Sequence, residues 1–329
     1  AQAAPAKSAP RKAPRKAPAP VRRRRGPIGM VLGLFVWAFR LIFSLLWRGG
    51  VVVALLVGLA VLYVSSTLPP VGQLVDGRAR GSVVLADRDG QVFAWRGDQY
   101  GGLITAETVS VNLRNAVVAT EDKRFYSHIG IDFYGTGAAM FRNVSDNGNP
   151  LNGAGGSSIT QQTAKLLCFG QNFDPASGKT EAEYEADCRR TTVWRKVREA
   201  VYALAMEVKY SKDDILTVYL NRAYLGAGTR GFEAAAQRYF GKSAAEVTPA
   251  EAAMLAGLLK APTTFAPTNN IERSRDRAAV VIGLMQEQGY LSDSAAAEAL
   301  ANPARLSAAA EARAGGYFAD WVMDSGPEF

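Results

Sequence analysis

Three hydrophobic patterns follow one another along the chain, and each predicts a different element. From Ile28 to Val64 nearly every position is apolar, with Arg40 and Arg48 as the charged exceptions. A bilayer-spanning helix needs about 20 apolar residues, and residues 49–66 (GGVVVALLVGLAVLYVSS) form the cleanest such run. Trp47 and Arg48 stand where side chains anchor or snorkel at headgroups. Residues 28–47 then read as an interfacial or helix-extending stretch held by Trp37 and Arg40. A two-span hairpin is the alternative; it would bury Arg40 near the bilayer centre at a cost of a few kcal/mol. Leu68-Pro69-Pro70 ends the helix.

Residues 81–98 alternate around Asp89-Gly90, the pattern of a β-hairpin. Beyond them the helical period dominates, beginning with an apolar helix over Val109 to Thr120. Helix starts are marked by capping-box pairs: Ser158 with Gln161, Ser211 with Asp214, and Thr248 with Glu251. Glu251 is therefore read as a structural cap. There is no internal repeat. The ending, GGYFADWVMDSGPEF, stops in mid-pattern and reads as the start of a linker into a longer protein.

Charge changes this picture only at one end. The formal net charge of +8 suggests a nucleic-acid partner until its distribution is seen. Nine Lys and Arg lie in residues 1–26, leaving 29 basic against 30 acidic side chains elsewhere. The Pro- and Ala-rich tail has no apolar periodicity and is expected to be disordered. No aromatic residues interleave its charges, so nucleic acid ranks last, after a solvated arm and after binding to anionic lipid or protein. Arg22 to Arg25, just before the apolar run, place the N-terminus in the cytoplasm and the remainder outside it. No small-residue cleavage site follows a short apolar core, so the segment reads as an uncleaved signal anchor. Cys168 and Cys188 then fall in an oxidising compartment, where they can bridge or remain two thiols. The polar insertion between them, 170–187, has no core of its own, which favours the bridge.

Four segments carry candidate chemistry. The first runs Glu121-Asp122-Lys123-Arg124-Phe125-Tyr126-Ser127-His128, an acidic pair at a helix end in polar surroundings. The second is Gly155-Gly156-Ser157-Ser158-Ile159-Thr160-Gln161-Gln162, then Lys165. A glycine loop feeding a capped helix start offers free backbone N–H groups to an anion, with Lys165 one turn past Gln161. In the third, Arg195-Lys196-Val197-Arg198-Glu199, Arg195 and Glu199 share a helix face. The fourth runs from Lys209 through Tyr219-Leu220-Asn221. Each alone has a plain reading: a solvated ion pair, a loop, a packed histidine.

In this order, behind a signal anchor, the four segments resemble the peptidoglycan glycosyltransferase family, the domain of class A penicillin-binding proteins and monofunctional transglycosylases. The likeness covers roughly residues 68–300 and extends to Asn221-Arg222-Ala223-Tyr224-Leu225-Gly226, to 234–242 and to 251–257. Departures are Ser158 for a usual Thr, Phe133 for a common Pro, Thr217 for a Glu that makes a structural ion pair, and the cysteine-flanked insertion.

The resemblance implies a mainly α, lysozyme-like domain with a small β-hairpin and an N-terminal transmembrane helix. It places a disordered cytoplasmic tail at 1–26, the membrane segment at 27–66, the catalytic domain at 67–305, and a linker toward a transpeptidase domain at 306–329. It further implies polymerisation of a lipid-linked disaccharide-pentapeptide, lipid II, onto a growing glycan strand with inversion and release of undecaprenyl pyrophosphate. Glu121 matches the general base and Glu199 the second glutamate. Asp122, Phe125, His128, Gly156, Ser157, Ser158, Gln161, Gln162, Lys165, Arg195, Lys196 and Arg198 match substrate- and pyrophosphate-binding positions. No cofactor is certain; Mg or Mn is the candidate cation. Partners would be membrane lipid and other cell-wall synthesis proteins, at the inner membrane of a bacterium. Residues 133–141 are apolar enough to dip into lipid. A muramidase of the same fold needs the glutamate but not the third segment's cations. A non-catalytic scaffold would need neither. Ser145-Asp146-Asn147 mimics a transpeptidase motif, but without Ser-x-x-Lys or Lys-Thr-Gly it reads as a loop decoy.

Overall fold

The computed structural model describes residues 27–75, 102–148, 156–170 and 192–311, short pieces between 83 and 100, and scattered positions between 178 and 190. The basic tail 1–26, Gly155, most of the cysteine-bracketed insertion and the linker beyond 311 lie outside the described residues. The chain divides into two compact units, 1–56 and 57–329.

The long helix α1, Pro27–Thr67, runs for 41 residues. Its stretch Val31–Thr67 is long and apolar enough to cross a membrane, and little of it is buried by protein. The two-span hairpin is not what forms: the helix continues through Arg40, Arg48 and the Gly49-Gly50 pair. Its one proline, Pro27, stands at the first position, so the interior carbonyls keep an N–H one turn on and nothing starts a turn. It stops at Thr67, just ahead of Pro69 and Pro70.

The second unit is mainly α. After the short α2, Val71–Val75, strands β1, Val83–Ala86, and β2, Val92–Arg96, form the expected antiparallel hairpin, with Val84 opposite Trp95. Gly90 turns it with a φ of 79°. A two-residue parallel pairing of β3, Gln99–Tyr100, with β4, Thr229–Arg230, has no counterpart in the sequence reading. It is too short to show a period.

Helices α3, Val111–Glu121, α4, Phe133–Asn147, α5, Ile159–Leu166, α6, Val193–Lys209, and α7, Lys212–Arg222, carry the candidate segments. Behind them lie α8, Phe232–Phe240, α9, Pro249–Leu258, α10, Pro262–Phe265, α11, Ile271–Glu287, α12, Asp293–Ala301, and α13, Ala308–Glu311. Helix α9 is buried at every position from Ala250 to Leu258. A helix apolar all round belongs inside a core, and its alanines let α3 and α11 pack closely on it.

All three capping boxes form. Glu251 caps α9 and pairs with Lys242 at 3.0 Å, the structural role expected of it. Thr217 makes a buried hydrogen bond, accepting from the Ala106 N–H at 2.9 Å. Ser145-Asp146-Asn147 is not in a loop: it forms the last turn of α4, which runs on until Gly148 closes it at a φ of 68°. A left-handed glycine cap sets that end. Residues 68–74 are tied to α6 and α7. Lys209 Nζ donates to the Leu68 carbonyl, the Tyr210 hydroxyl to that of Pro69, and Arg222 Nε to that of Leu74 at 2.8 Å.

Cys168 and Cys188 are bridged, their Cα atoms 5.4 Å apart. Cys168 and Phe169 have φ values of 48° and 56°, a conformation costing of order 1–3 kcal/mol per residue that persists only when its surroundings fix it. The bridge and the burial of Phe169 against Tyr202 do so. Changing both cysteines to serine should lower the unfolding free energy by about 3 kcal/mol, measured by urea titration. Peptide mapping without reduction should recover the linked pair; quantitative alkylation of both thiols in the native protein would refute the bridge.

Candidate active site

Helix α3 starts two residues later than its apolar pattern suggests, at Val111 behind the N-cap Ser110, and ends with Glu121 in its last turn. The acidic pair sits among polar and charged groups, as the sequence reading held, but largely withdrawn from water. Burial pushes the Glu121 carboxyl above the ordinary 4.5. A hydrogen bond from Gln162 and the charges of Arg277 and Lys165 pull it back, while Asp122 adds to the rise. A carboxylate in this state is a better proton acceptor than one in water.

Asp122 is 6% exposed. Both its oxygens lie 3.0 Å from His128 Nε2, and Oδ2 also accepts the Ile159 N–H at 2.9 Å. The Gly130 N–H donates to His128 Nδ1 at 3.1 Å. Nδ1 is therefore an acceptor, which assigns the ring proton to Nε2 facing Asp122. Gly130 has a φ of 88°, and a Cβ there would come within 2.8 Å of Glu207 Cγ, so only glycine makes this turn.

The anion site expected at the start of α5 is filled from within. The Ser158 N–H donates to Gln161 Oε1 at 3.0 Å, the Ile159 N–H to Asp122, and the Gln161 N–H to Ser158 Oγ at 3.1 Å. Ser158 Oγ itself donates to the Gly130 carbonyl. The carboxylate of Asp122 takes the place the sequence reading gave to a phosphate, because a capping box and a local acid satisfy a helix N-terminus at no cost in freedom of a ligand. Ser158 and Gln161 are accordingly buried, and Gly156 accepts from Thr136 Oγ1 at 2.9 Å.

The third segment supplies the cations. Glu199, 2% exposed, accepts from Arg195 Nη1 through one oxygen and from Lys196 Nζ at 2.6 Å through the other. This is not the solvated ion pair of the plain reading. Lys196 Nζ also donates to Ser157 Oγ at 2.6 Å. Gln162 Nε2 donates to Glu121 Oε2 at 2.9 Å and reaches the Ser157 carbonyl at 3.4 Å. One polar chain therefore runs Glu121, Gln162, Ser157, Lys196, Glu199, Arg195, joining three segments that lie far apart in sequence. Lys165 sits in the last turn of α5 and acts on Glu121 through its charge. Arg195 Nε is buried without a hydrogen-bond partner.

Two expected ligand residues are not part of this polar chain. Phe125 is fully buried, edge-on to Tyr126 and under Lys212 Nζ, as a packing residue. Arg198 lies over the Phe169 ring at 5.3 Å and, with Arg195, Cys188 and Trp194, lines a cleft of about 380 Å³. Two neighbours of Glu121 were not given roles by sequence. Tyr219 belongs to the fourth segment, and its hydroxyl donates to Gln162 Oε1 at 3.1 Å. Arg277, on α11, lies outside every motif and acts on Glu121 by charge. Only the tertiary fold brings it there. As for a divalent cation, no group of three or more His, Cys, Asp or Glu side chains suited to a metal occurs among the described residues. The oxygens of Glu199 already accept from two cations, so this carboxylate does not fit a metal ligand.

Residues 89–286 match the family described as transglycosylase. The chain is 38% identical over 236 residues to penicillin-binding protein 1A of Neisseria flavescens, spanning 72% of this chain and 27% of that protein. It is 36% identical over 203 residues to penicillin-binding protein 1F of Bacillus subtilis, spanning 60% of this chain and 26% of that one. A solved structure of penicillin-binding protein 1A from Haemophilus influenzae aligns with 75% of this chain and 26% of its own at 22% identity, with a TM-score of 0.35. The chain thus spans about a quarter of the length of the relatives it matches. With the match running through more than half of its residues and through all four segments, the chain belongs to the transglycosylase family of peptidoglycan glycosyltransferases.

Proposed function

We propose that this chain polymerises lipid II into β-1,4 glycan strands with release of undecaprenyl pyrophosphate, Glu121 acting as the general base. The observation that carries the reading is the polar chain from Glu121 to Arg195, which places a desolvated carboxylate and a set of fixed cations on one continuous network. A sugar hydroxyl is a poor nucleophile until a base takes its proton, an assistance worth typically 10²–10⁴-fold. Glu121 accepts the proton of the acceptor's 4-hydroxyl as that oxygen attacks the anomeric carbon of the donor strand. The bond to pyrophosphate breaks on the opposite face, so the anomeric configuration inverts. Lys165, Arg195 and Lys196 meet the charge that develops on the leaving group. Glu199 holds Arg195 and Lys196 in place.

The substrate is anchored in lipid, and two features suit the chain to a membrane. One is α1, with the N-terminus in the cytoplasm and the catalytic unit outside. The other is α4, where Phe133, Tyr134 and Phe141 are each at least 70% exposed, more apolar surface than water alone would favour. The relatives are penicillin-binding proteins of about four times the matched length, which supports a bifunctional parent with a transpeptidase domain. Other cell-wall synthesis proteins are its natural partners.

Protease added to intact spheroplasts should digest the catalytic unit and spare the N-terminal arm; a protected catalytic unit would reverse the orientation. Glu121→Gln keeps size and hydrogen bonding but cannot accept a proton, so polymerisation should fall at least about 100-fold with lipid II binding little changed. Because the base works deprotonated and burial raises its pKa, wild-type turnover should climb with pH along a limb lying above the ordinary carboxylate range. Lys165→Ala and Arg195→Ala should weaken donor binding and turnover together, and Glu199→Gln should give an intermediate loss. Glycan synthesis from labelled precursor, with binding followed separately, checks each. A Glu121→Gln enzyme that polymerises at the wild-type rate would remove Glu121 from the role.

A further inference from the structure

Gln162 is a two-faced amide. Its Nε2 donates to Glu121 Oε2 at 2.9 Å, and its Oε1 accepts from the Tyr219 hydroxyl at 3.1 Å. Turned over, the amide would set its oxygen against the carboxylate and its N–H groups against the phenol, and the bond to Glu121 would be lost. Tyr219 is 2% exposed and packed in α7, from the fourth segment. Its ring is held by the core, so the hydroxyl oxygen stays beside the Gln162 amide.

We propose that Tyr219 is a positioning residue for Glu121, its buried hydroxyl holding the Gln162 amide in the one orientation that donates to the base. The role rests on Glu121 being the base; the contact does not. Burial first, and then the charge of Glu121, push the Tyr219 phenol well above 10, so it keeps the proton it donates to Gln162 wherever the enzyme works. The other charged groups acting on Glu121 are Arg277 of α11, Lys165 of α5 and the adjacent Asp122. None of them depends on Tyr219. Asp122 is held by His128 and Ile159.

Tyr219→Phe removes only the O–H and keeps the ring. The freed amide then spends less time on the carboxylate, and Glu121 loses part of what pulls its protonation downward. The expected result is an acid limb of kcat displaced to higher pH, with KM and the rate above the limb little altered. Gln162→Ala should displace the limb further, and adding Tyr219→Phe to it should produce no additional shift. The full chain in detergent with labelled lipid II gives the pH profiles. Carbon-13 titration of labelled glutamate carboxyls, with the Glu121 signal identified by its loss in Glu121→Gln, follows the same shift without turnover. An unmoved Glu121 titration in Tyr219→Phe overturns the proposal. So does a shift that persists in the Gln162→Ala background, since the effect would then be general loosening. Full activity in Glu121→Gln would instead sink the base and leave the titration to judge the contact.

Discussion

Asp122 lies beneath the first turn of α5, where the Ile159 N–H donates to it at 2.9 Å and His128 Nε2 closes on it at 3.0 Å. A carboxylate so deeply buried needs compensation for lost hydration, and a helix N-terminus with its partial positive charge provides it. The consequence is positional. Asp122 directly follows Glu121, and Ile159 lies one turn before Gln162. Fixing Asp122 on Ile159 therefore fixes the Gln162 amide opposite the Glu121 carboxylate. His128 is the third corner, oriented by the Gly130 N–H at 3.1 Å. The first and second segments are thus two sides of one buried joint, and Glu121, the proposed base, stands beside it.

The cations are held by a comparable device. Glu199 is 2% exposed and carries both Arg195 and Lys196. Burying an ion pair costs about as much as its attraction returns, so its presence says little about stability. It does fix two positive groups on one face of α6 with their net charge only partly cancelled. On the proposed reading a leaving pyrophosphate would meet charge that need not reorganise. The same helix ends at Lys209, which with Tyr210 and Arg222 grips residues 68–74. One rigid element therefore links the chain emerging from α1 to the cations of the site.

Much of this was legible in sequence where the signal is local. The capping boxes at Ser158, Ser211 and Thr248, the hairpin around Asp89-Gly90 and the proline stop after Thr67 all depend on residues within a few positions of each other. The apolar run of α1 was legible, but whether it turned back was not, because Arg40 argues about cost rather than about geometry. At α5 the local rule was read correctly and the occupant wrongly: the helix start does attract an anion, and Asp122, distant in sequence by more than thirty residues, is that anion. Phe125 looked like a ligand because it stands within a motif, yet its burial shows that the motif also encodes packing. Arg277 gave no sign at all, since α11 reads as an ordinary amphipathic helix and only its packing against α3 brings the charge to Glu121.

A crystal structure of the catalytic unit with an unreactive lipid-linked donor and an acceptor sugar tests the central claim most directly. The account predicts the acceptor 4-hydroxyl within about 2.6–3.2 Å of the Glu121 carboxylate, the distance proton transfer requires, and the pyrophosphate between Lys165 and the Arg195–Lys196 pair. A bound substrate whose hydroxyl faces another carboxylate, with Glu121 still turned wholly to Gln162, would contradict it.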